Sequence, residues 1–237
     1  MLSVVCWRWK PKPFYRSVFP PETVNVLQRM VKRHYPHPHR FICVTDDPVG
    51  IVADVEIVPL WDDYGDLPNP HGADFPRSYR RLRMFSQDID RVFGPRFVSV
   101  DLDCVVVGDL TPLWDRQDDF VAWRDPSPRT PYNGAMMLLR SGSRTAVWTE
   151  FDPVSSPRAA TRLGYLGSDQ AWIGACLGPN EPTWTADDGV LSFRIDVQIR
   201  AGGSLPEGAK IVFFHGREDP WDAGVQERFD WVREHWS

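Results

Sequence analysis

The sequence predicts an α/β fold: one domain with a mostly parallel central sheet and helices packed on its faces. Three observations carry that expectation. Strand-length apolar runs alternate with helically spaced ones through the first hundred residues, the order of a βαβ sheet. The runs Leu2 to Trp9 and Phe97 to Val100 are apolar at nearly every position, as strands covered on both faces must be. At 237 residues, the chain can bury a core without staples.

Leu2 to Trp9 reads as the first strand. Pro20-Pro21 open a helix to about His34, because proline suits a first turn whose N–H groups lack partners. Val24, Leu27, Met30 and Val31 recur there at helical spacing. Arg40 to Thr45 reads as a second strand, ended by Asp46-Asp47-Pro48, and Val52 to Leu60 as a third. A loop rich in Pro, Gly and Asp runs from Trp61 to Pro76. Arg77 to Phe93 reads as a helix with apolar Leu82, Phe85, Ile89 and Val92, stopped by Gly94-Pro95. Arg96 to Asp103 follows as a buried strand.

The second half is less regular. Phe120–Trp123 and Ala135–Leu139 read as strands, and Thr145–Phe151 and Ser168–Leu177 as helices. Lys210–Phe214 is a late strand, and Trp221–Trp236 a C-terminal helix. No flexible linker interrupts the chain. A boundary near residue 105 therefore divides a single domain, 1–237, into halves 1–105 and 106–237.

Composition excludes some roles. A net charge of −5 argues against a general polyanion binder. No stretch is apolar for long enough to span a membrane, and the start lacks a signal-peptide core. Cys6, Cys43, Cys104 and Cys176 are widely spaced with no CxxC pair. They are expected to be reduced core residues of a cytoplasmic protein, without zinc or disulfides. Eleven tryptophans have two readings: core and lid packing, which is favoured, or one or two of them as flat walls for a sugar ring or base.

The chemistry starts at Asp101-Leu102-Asp103. Alternate side chains of a strand share a face, so both carboxylates are expected to point one way at the carboxyl end of a buried strand. Ligands bind at that edge of open α/β sheets. Two adjacent carboxylates raise each other's pKa unless a cation compensates, and a divalent metal carrying a phosphorylated ligand is the simplest compensation. The bland alternative is a strand-end turn with caps. His215, ending the run Ile211 to Phe214, is a candidate nitrogen ligand or else a satisfied core histidine. Arg77, Arg80, Arg81 and Arg83 crowd one helix, with Arg77 and Arg81 on one face as i,i+4 neighbours. Either they form a solvated basic face, or Arg81 with Arg77 grips a diphosphate or sugar by a guanidinium fork. Ser168-Asp169-Gln170 opens an apolar helical run, as an N-cap or as ligand-facing polar groups.

The order of these signals resembles the GT-A glycosyltransferases, especially the metal-dependent retaining branch of bacterial lipopolysaccharide galactosyltransferases and glycogenin-like enzymes. Arg81-Leu82 is similar to that branch's basic-Leu helix, and Asp101-Leu102-Asp103 to its DxD motif, followed by Gly108-Asp109-Leu110 and Leu113-Trp114. Asn133-Gly134-Ala135 resembles its Asn-Ser/Ala-Gly segment, Gly167-Ser168-Asp169-Gln170 its Asp-Gln helix start, and Phe214-His215-Gly216 with Pro220-Trp221 its terminal motif. No single motif is specific; five in the expected order are much stronger.

The resemblance implies a nucleotide-sugar donor, most often a UDP-sugar, with Mn2+ or Mg2+ held by Asp101, Asp103 and His215. One Asp can instead meet the ribose. Asp169, Gln170 and Asn133 are the implied catalytic groups. Trp7, Arg8, Asp46, Arg77, Arg81, Asp101, Gly216 and Arg217 are implied around the donor, with Cys6 and Thr45 by analogy near its base. The 1–105 half would then bind the donor and the 106–237 half the acceptor: a small molecule, a glycan or a protein, with a nucleic acid base less favoured. One departure stands out. Where the family carries Lys before Pro-Trp, this chain has Asp219, and Arg217 is the nearby substitute cation.

Two other readings compete. Asp101-Leu-Asp103-Cys-Val fits the nucleophile loop of a haloacid-dehalogenase-like phosphatase, with Lys210 as its later lysine. A degenerate domain that binds nucleotide or carbohydrate without turnover is supported by Asp219.

Overall fold

Alternation along the strands sets the layers. Leu2, Val4 and Cys6 enter one apolar cluster and Val5 and Trp7 the other, because successive side chains leave opposite faces of a strand. Phe41 and Cys43 against Ile42 and Val44 repeat the pattern. The computed structural model describes residues 1–10, 18–72, 77–127 and 129–237. Its strands are β1 (Leu2–Arg8), β2 (His39–Thr45), β3 (Glu56–Pro59), β4 (Arg96–Val100), β5 (Cys104–Val106), β6 (Phe120–Arg124), β7 (Tyr132–Arg140), β8 (Thr183–Trp184), β9 (Val190–Ser192) and β10 (Ile211–Phe213).

Seven strands form the main sheet in the order β3-β2-β1-β4-β7-β6-β8, and β5, β10 and β9 form a second, smaller sheet. In the main sheet β1 to β4 run parallel, and only β7 opposes its neighbours β4 and β6. The carboxyl ends of β1, β2, β4 and β6 therefore share one edge, and β7 begins there. Strands from both sides of residue 105 make this sheet, as β4 pairs β7 from Arg96↔Arg140 to Val100↔Met136. All four cysteines are free, with Cys6, Cys43 and Cys104 buried in the core. No described helix is long and apolar enough to cross a membrane.

The first helix, Pro21–His34, follows its expectation. Four others differ. Arg77 to Phe93 is not one α-helix: Tyr79–Phe85 winds as a 3-10 helix and Asp90–Phe93 adds one α-turn. With three residues per turn, Tyr79, Leu82 and Phe85 stack on one face, and all three are buried. Trp221 to Trp236 divides into Ala223–Arg228 and Asp230–His235. Phe229 breaks it in an extended conformation, with its ring edge-on to Phe193 at 5.1 Å. Thr145–Phe151 shrinks to Ala146–Thr149. A π-helical segment, Phe193–Arg200, and a helix, Ser155–Arg162, were not expected.

The strands also shift. The third shortens to β3, because Val55 N–H turns back to Val52 O instead of joining the ladder. The strand expected through Asp103 ends at Val100, and the chain bends at Leu102 and Asp103 before entering the second sheet as β5. The loop expected from Trp61 to Pro76 is described as far as Gly72; residues 73–76 lie outside the described residues.

Candidate active site

A cavity of about 550 Å³ opens at the carboxyl edge of the sheet. Asp101 is carried there by β4 and still donates its backbone N–H to Ala135 O at 2.8 Å. Asp103 lies at the bend between β4 and β5, so the two carboxylates are not i,i+2 positions of one regular strand. Both line the cavity.

Arg81 connects the site. It is 6% exposed, on the 3-10 helix. Its Nη1 donates to Asp101 Oδ1 at 2.5 Å and its Nε to Asp169 Oδ2 at 2.7 Å. Asp169 begins the helix Asp169–Leu177, where a carboxylate also meets the positive end of the helix. Burial pulls the Arg81 pKa down, but the facing Asp169 and Asp101 outweigh it and hold the guanidinium above its ordinary value. Gly134 makes room: a Cβ there would lie 2.5 Å from Arg81 Nη2.

The polar wall is braced by its own loops. Gln170 Oε1 accepts from Gly134 N–H at 3.2 Å while its Nε2 donates to Leu166 O at 3.1 Å. Asn133 Oδ1 accepts from Ala135 N–H at 3.0 Å. Trp7, Trp9 and Phe19 form an apolar wall, with Trp7 held by an Nε1 bond to Ser99 Oγ at 2.8 Å. Gly216 lines the cavity beside His215, and its φ of +150° suits glycine alone.

Burial raises both acids. The Asp101 carboxyl is raised by burial against the opposing pull of Arg81. The Asp103 carboxyl is pushed well above the carboxylate range, first by burial, then by Asp101 and Asp219. Asp219 is therefore a third carboxylate at the pair, where a lysine was expected from the resemblance. Burial lowers the His215 pKa, Asp125 opposing and Arg194 assisting. His215 Nε2 is buried without a hydrogen-bond partner, and its ring is edge-on to Trp123 at 5.6 Å.

The fit to a divalent ion divides along these lines. Asp101 and Asp103 offer crowded oxygens whose repulsion a dication relieves, and His215 offers an unsatisfied nitrogen. Yet the nearby charges of His215 are Asp125, Arg194 and Asp196, not the acid pair. Among the described residues no three His, Cys, Asp or Glu side chains are gathered as a metal-binding set.

Of the residues singled out from sequence, Trp7, Arg81, Asp101, Asp103, Asn133, Asp169, Gln170, His215 and Gly216 all line this one cavity. Arg8, Asp46, Arg77 and Arg217 are not in its lining. Arg8 Nε turns back to Phe19 O at 2.8 Å, and its Nη1 donates to Asp47 O. Asp46 is exposed and accepts from Lys10 N–H at 3.0 Å. Arg77 is half-buried and Arg217 exposed. Cys6 is on the opposite sheet face, in the core, and Thr45 is buried with its hydroxyl bonded to Asp47. Lys210, which the phosphatase reading needs, is also outside the lining; its Nζ donates to Gly208 O at 3.4 Å. Sequence reasoning missed Asp125, Ser127 and Arg129, on the β6–β7 loop, and Arg194, on the Phe193–Arg200 segment; none belongs to a motif, and they meet the cavity only through folding.

The fold is that of the GT-A glycosyltransferases. Similar solved structures include the galactosyltransferase LgtC with donor and acceptor sugar analogues, at TM-score 0.61 and 13% identity, covering 99% of this chain and 96% of that one. The glycosyltransferase GlyE of Streptococcus pneumoniae TIGR4 matches at TM-score 0.61 and 11% identity, over 100% of this chain and 62% of its own. The bifunctional glycosyltransferase WbbM matches at 0.57 and 13%, over 99% and 50%. No protein-family model and no curated protein matches the sequence.

Proposed function

We propose that the protein is a metal-dependent glycosyltransferase that moves a sugar from a nucleotide-sugar, a UDP-sugar first among candidates, to an acceptor hydroxyl with retention. The observation that carries the reading is the Asp101–Arg81–Asp169 bridge beside Asp103, at the carboxyl edge of a GT-A sheet. Asp101 and Asp103 are the residues that would hold Mn2+ or Mg2+; His215 lines the same cavity but, among the described residues, is not gathered with them. When bound, the ion supplies positive charge for the departing diphosphate.

The rest of the chemistry falls to side chains. Arg81 fixes both carboxylates it touches, so the ligating edge and the helix start keep one geometry. Asp169 gives Oδ2 to Arg81, and its Oδ1 is 3.4 Å from Ser168 Oγ. Held by Arg81, Asp169 is assigned to orienting the sugar. Asn133 and Gln170 meet the sugar hydroxyls from the other wall. The sugar C1–O bond to the diphosphate breaks and the acceptor O–C1 bond forms on the same face. The acceptor proton passes to a diphosphate oxygen.

The test is a thermal-shift screen of UDP, GDP, CDP and dTDP with and without Mn2+. A ligand at 100 times its Kd adds about 2.7 kcal/mol. A Mn2+-dependent shift with one nucleotide supports the reading and names the base; no shift with any of them overturns it. Hydrolysis of the matching nucleotide-sugar separates an enzyme from a binding domain. A product-anomer NMR spectrum showing inversion would sink the front-side step.

A further inference from the structure

We propose that the acceptor carries an anionic group, a carboxylate or a phosphate, received in the cavity by Arg129 and Arg194. This rests on the glycosyl-transfer reading above.

Among the described residues three arginines line the cavity. Arg81 is buried and fully committed to two carboxylates. Arg129 and Arg194 are exposed, and come from the β6–β7 loop and the Phe193–Arg200 segment. Neither side chain makes an ion pair or hydrogen bond among the described residues; other surface arginines divide, Arg144 pairing with Glu181 at 2.6 Å while Arg217 has no ion pair, but Arg129 and Arg194 are the unpaired ones that line the cavity.

The acids near Arg194 are already taken. Asp125 accepts Ser127 N–H at 2.9 Å through Oδ1 and Thr130 Oγ at 2.7 Å through Oδ2, which braces its own loop. Asp196 accepts Ser192 N–H at 2.7 Å through Oδ2 and pairs with Arg200 at 2.7 Å through Oδ1. Two guanidinium groups thus line a shared cavity without an ion-pair partner among the described residues, although carboxylates, Asp125 among them, line it too. A planar fork pairs best with a carboxylate or phosphate.

Exposure separates the two sets. Arg81 is 6% exposed and bonded to Asp101 and Asp169, whereas Arg129 and Arg194 are exposed. A donor whose diphosphate lies at the acid pair leaves the exposed arginines to the second substrate.

The test compares glucose 6-phosphate and glucuronate with methyl glucoside by calorimetry, in the presence of UDP and Mn2+. Wild-type protein should bind the charged probes at least tenfold more tightly than methyl glucoside, the preference falling as salt rises. The double variant Arg129→Gln/Arg194→Gln should bind all three alike while keeping the wild-type UDP–Mn2+ thermal shift. Exposed substitutions of this kind rarely unfold a protein. Equal binding by wild type, or a preference that survives both substitutions, overturns the proposal. A UDP–Mn2+ shift lost only in the variant assigns these arginines to the diphosphate and overturns it too. No Mn2+-dependent shift in wild type with UDP, GDP, CDP or dTDP is a different failure: it removes the glycosyl-transfer reading and the acceptor assignment with it, whereas a shift with one of the other three only replaces UDP in the test.

Discussion

Arg81 and Asp169 are 88 positions apart in sequence and joined by a 2.7 Å hydrogen bond in the buried floor of the site. The same guanidinium holds Asp101, so a 3-10 helix, a strand end and a helix start are locked through one side chain. Asp169 is 4% exposed at its side chain, so removing the cation leaves a buried carboxylate unpaired. Such losses cost about 3–5 kcal/mol. Arg81→Met is expected to lose that much in urea unfolding. Arg81→Lys should lose less, because it keeps the charge, yet it cannot reach both acids as a fork. A methionine variant within about 0.5 kcal/mol of wild type, the range of ordinary surface changes, would show that the bridge does not stabilise the fold.

The floor tolerates no extra atom beside that bridge. Gly134 lies where a Cβ would come within 2.5 Å of Arg81 Nη2, and Arg81 is pinned by two bonds. Gly134→Ala should therefore destabilise by about 1–3 kcal/mol, the usual cost of overpacking. Pairing it with Arg81→Met should bring much of that cost back, since the clashing group is gone. Denaturation of the double-mutant cycle measures the coupling, and additive effects would count against the contact.

Asp103 gives a pH signature. Burial, then Asp101 and Asp219, hold its carboxyl well above the ordinary value. The unfolded chain releases that proton near pH ~3.9, while the folded chain keeps it longer. Stability therefore falls as pH rises from the unfolded value through the raised folded one. Asp103→Asn removes the penalty. Without metal the variant should melt above wild type at pH 7, and the gap should close toward pH 4. With Mn2+ the order should reverse, because only wild type gains the ion. Melting curves against pH read both; a variant that melts no higher than wild type at pH 7 without metal would show that the crowding is not felt.

What the sequence made legible follows physical rules. β1, β2 and the Pro21–His34 helix were readable because their apolar periods are long and their ends carry turn or proline signals. The 3-10 helix was misread because Leu82 and Phe85 satisfy an i,i+3 spacing that both helix types share. β8 and β9, at two and three residues, are too short to show any period. In the site, motif residues such as Arg81 and Asp101 were visible, but their mutual bond was not, since only folding brings them together. Arg129 and Arg194 had no motif to announce them. Arg217 looked usable by nearness in sequence, yet the chain after Gly216 carries it outward.

His215 tests whether the acid pair and the imidazole share an ion. In this structure its Nε2 is buried without a partner, and burial lowers its pKa. The unfolded histidine takes its proton near pH ~6.5, before the folded one does. Wild-type stability should therefore drop as pH falls below that value. His215→Phe keeps a ring against Trp123, which lies 5.6 Å away, and removes both nitrogens. The variant should lose less stability between pH 7 and 5 than wild type, because a group that resists protonation is gone. If the imidazole joins Asp101 and Asp103 on the ion, the same variant should bind Mn2+ at least tenfold more weakly, about 1.4 kcal/mol. Melting against pH reads the first effect and Mn2+ calorimetry the second. Unchanged Mn2+ affinity beside an altered acid profile would make His215 a buried wall of the cavity and leave the ion to the carboxylates.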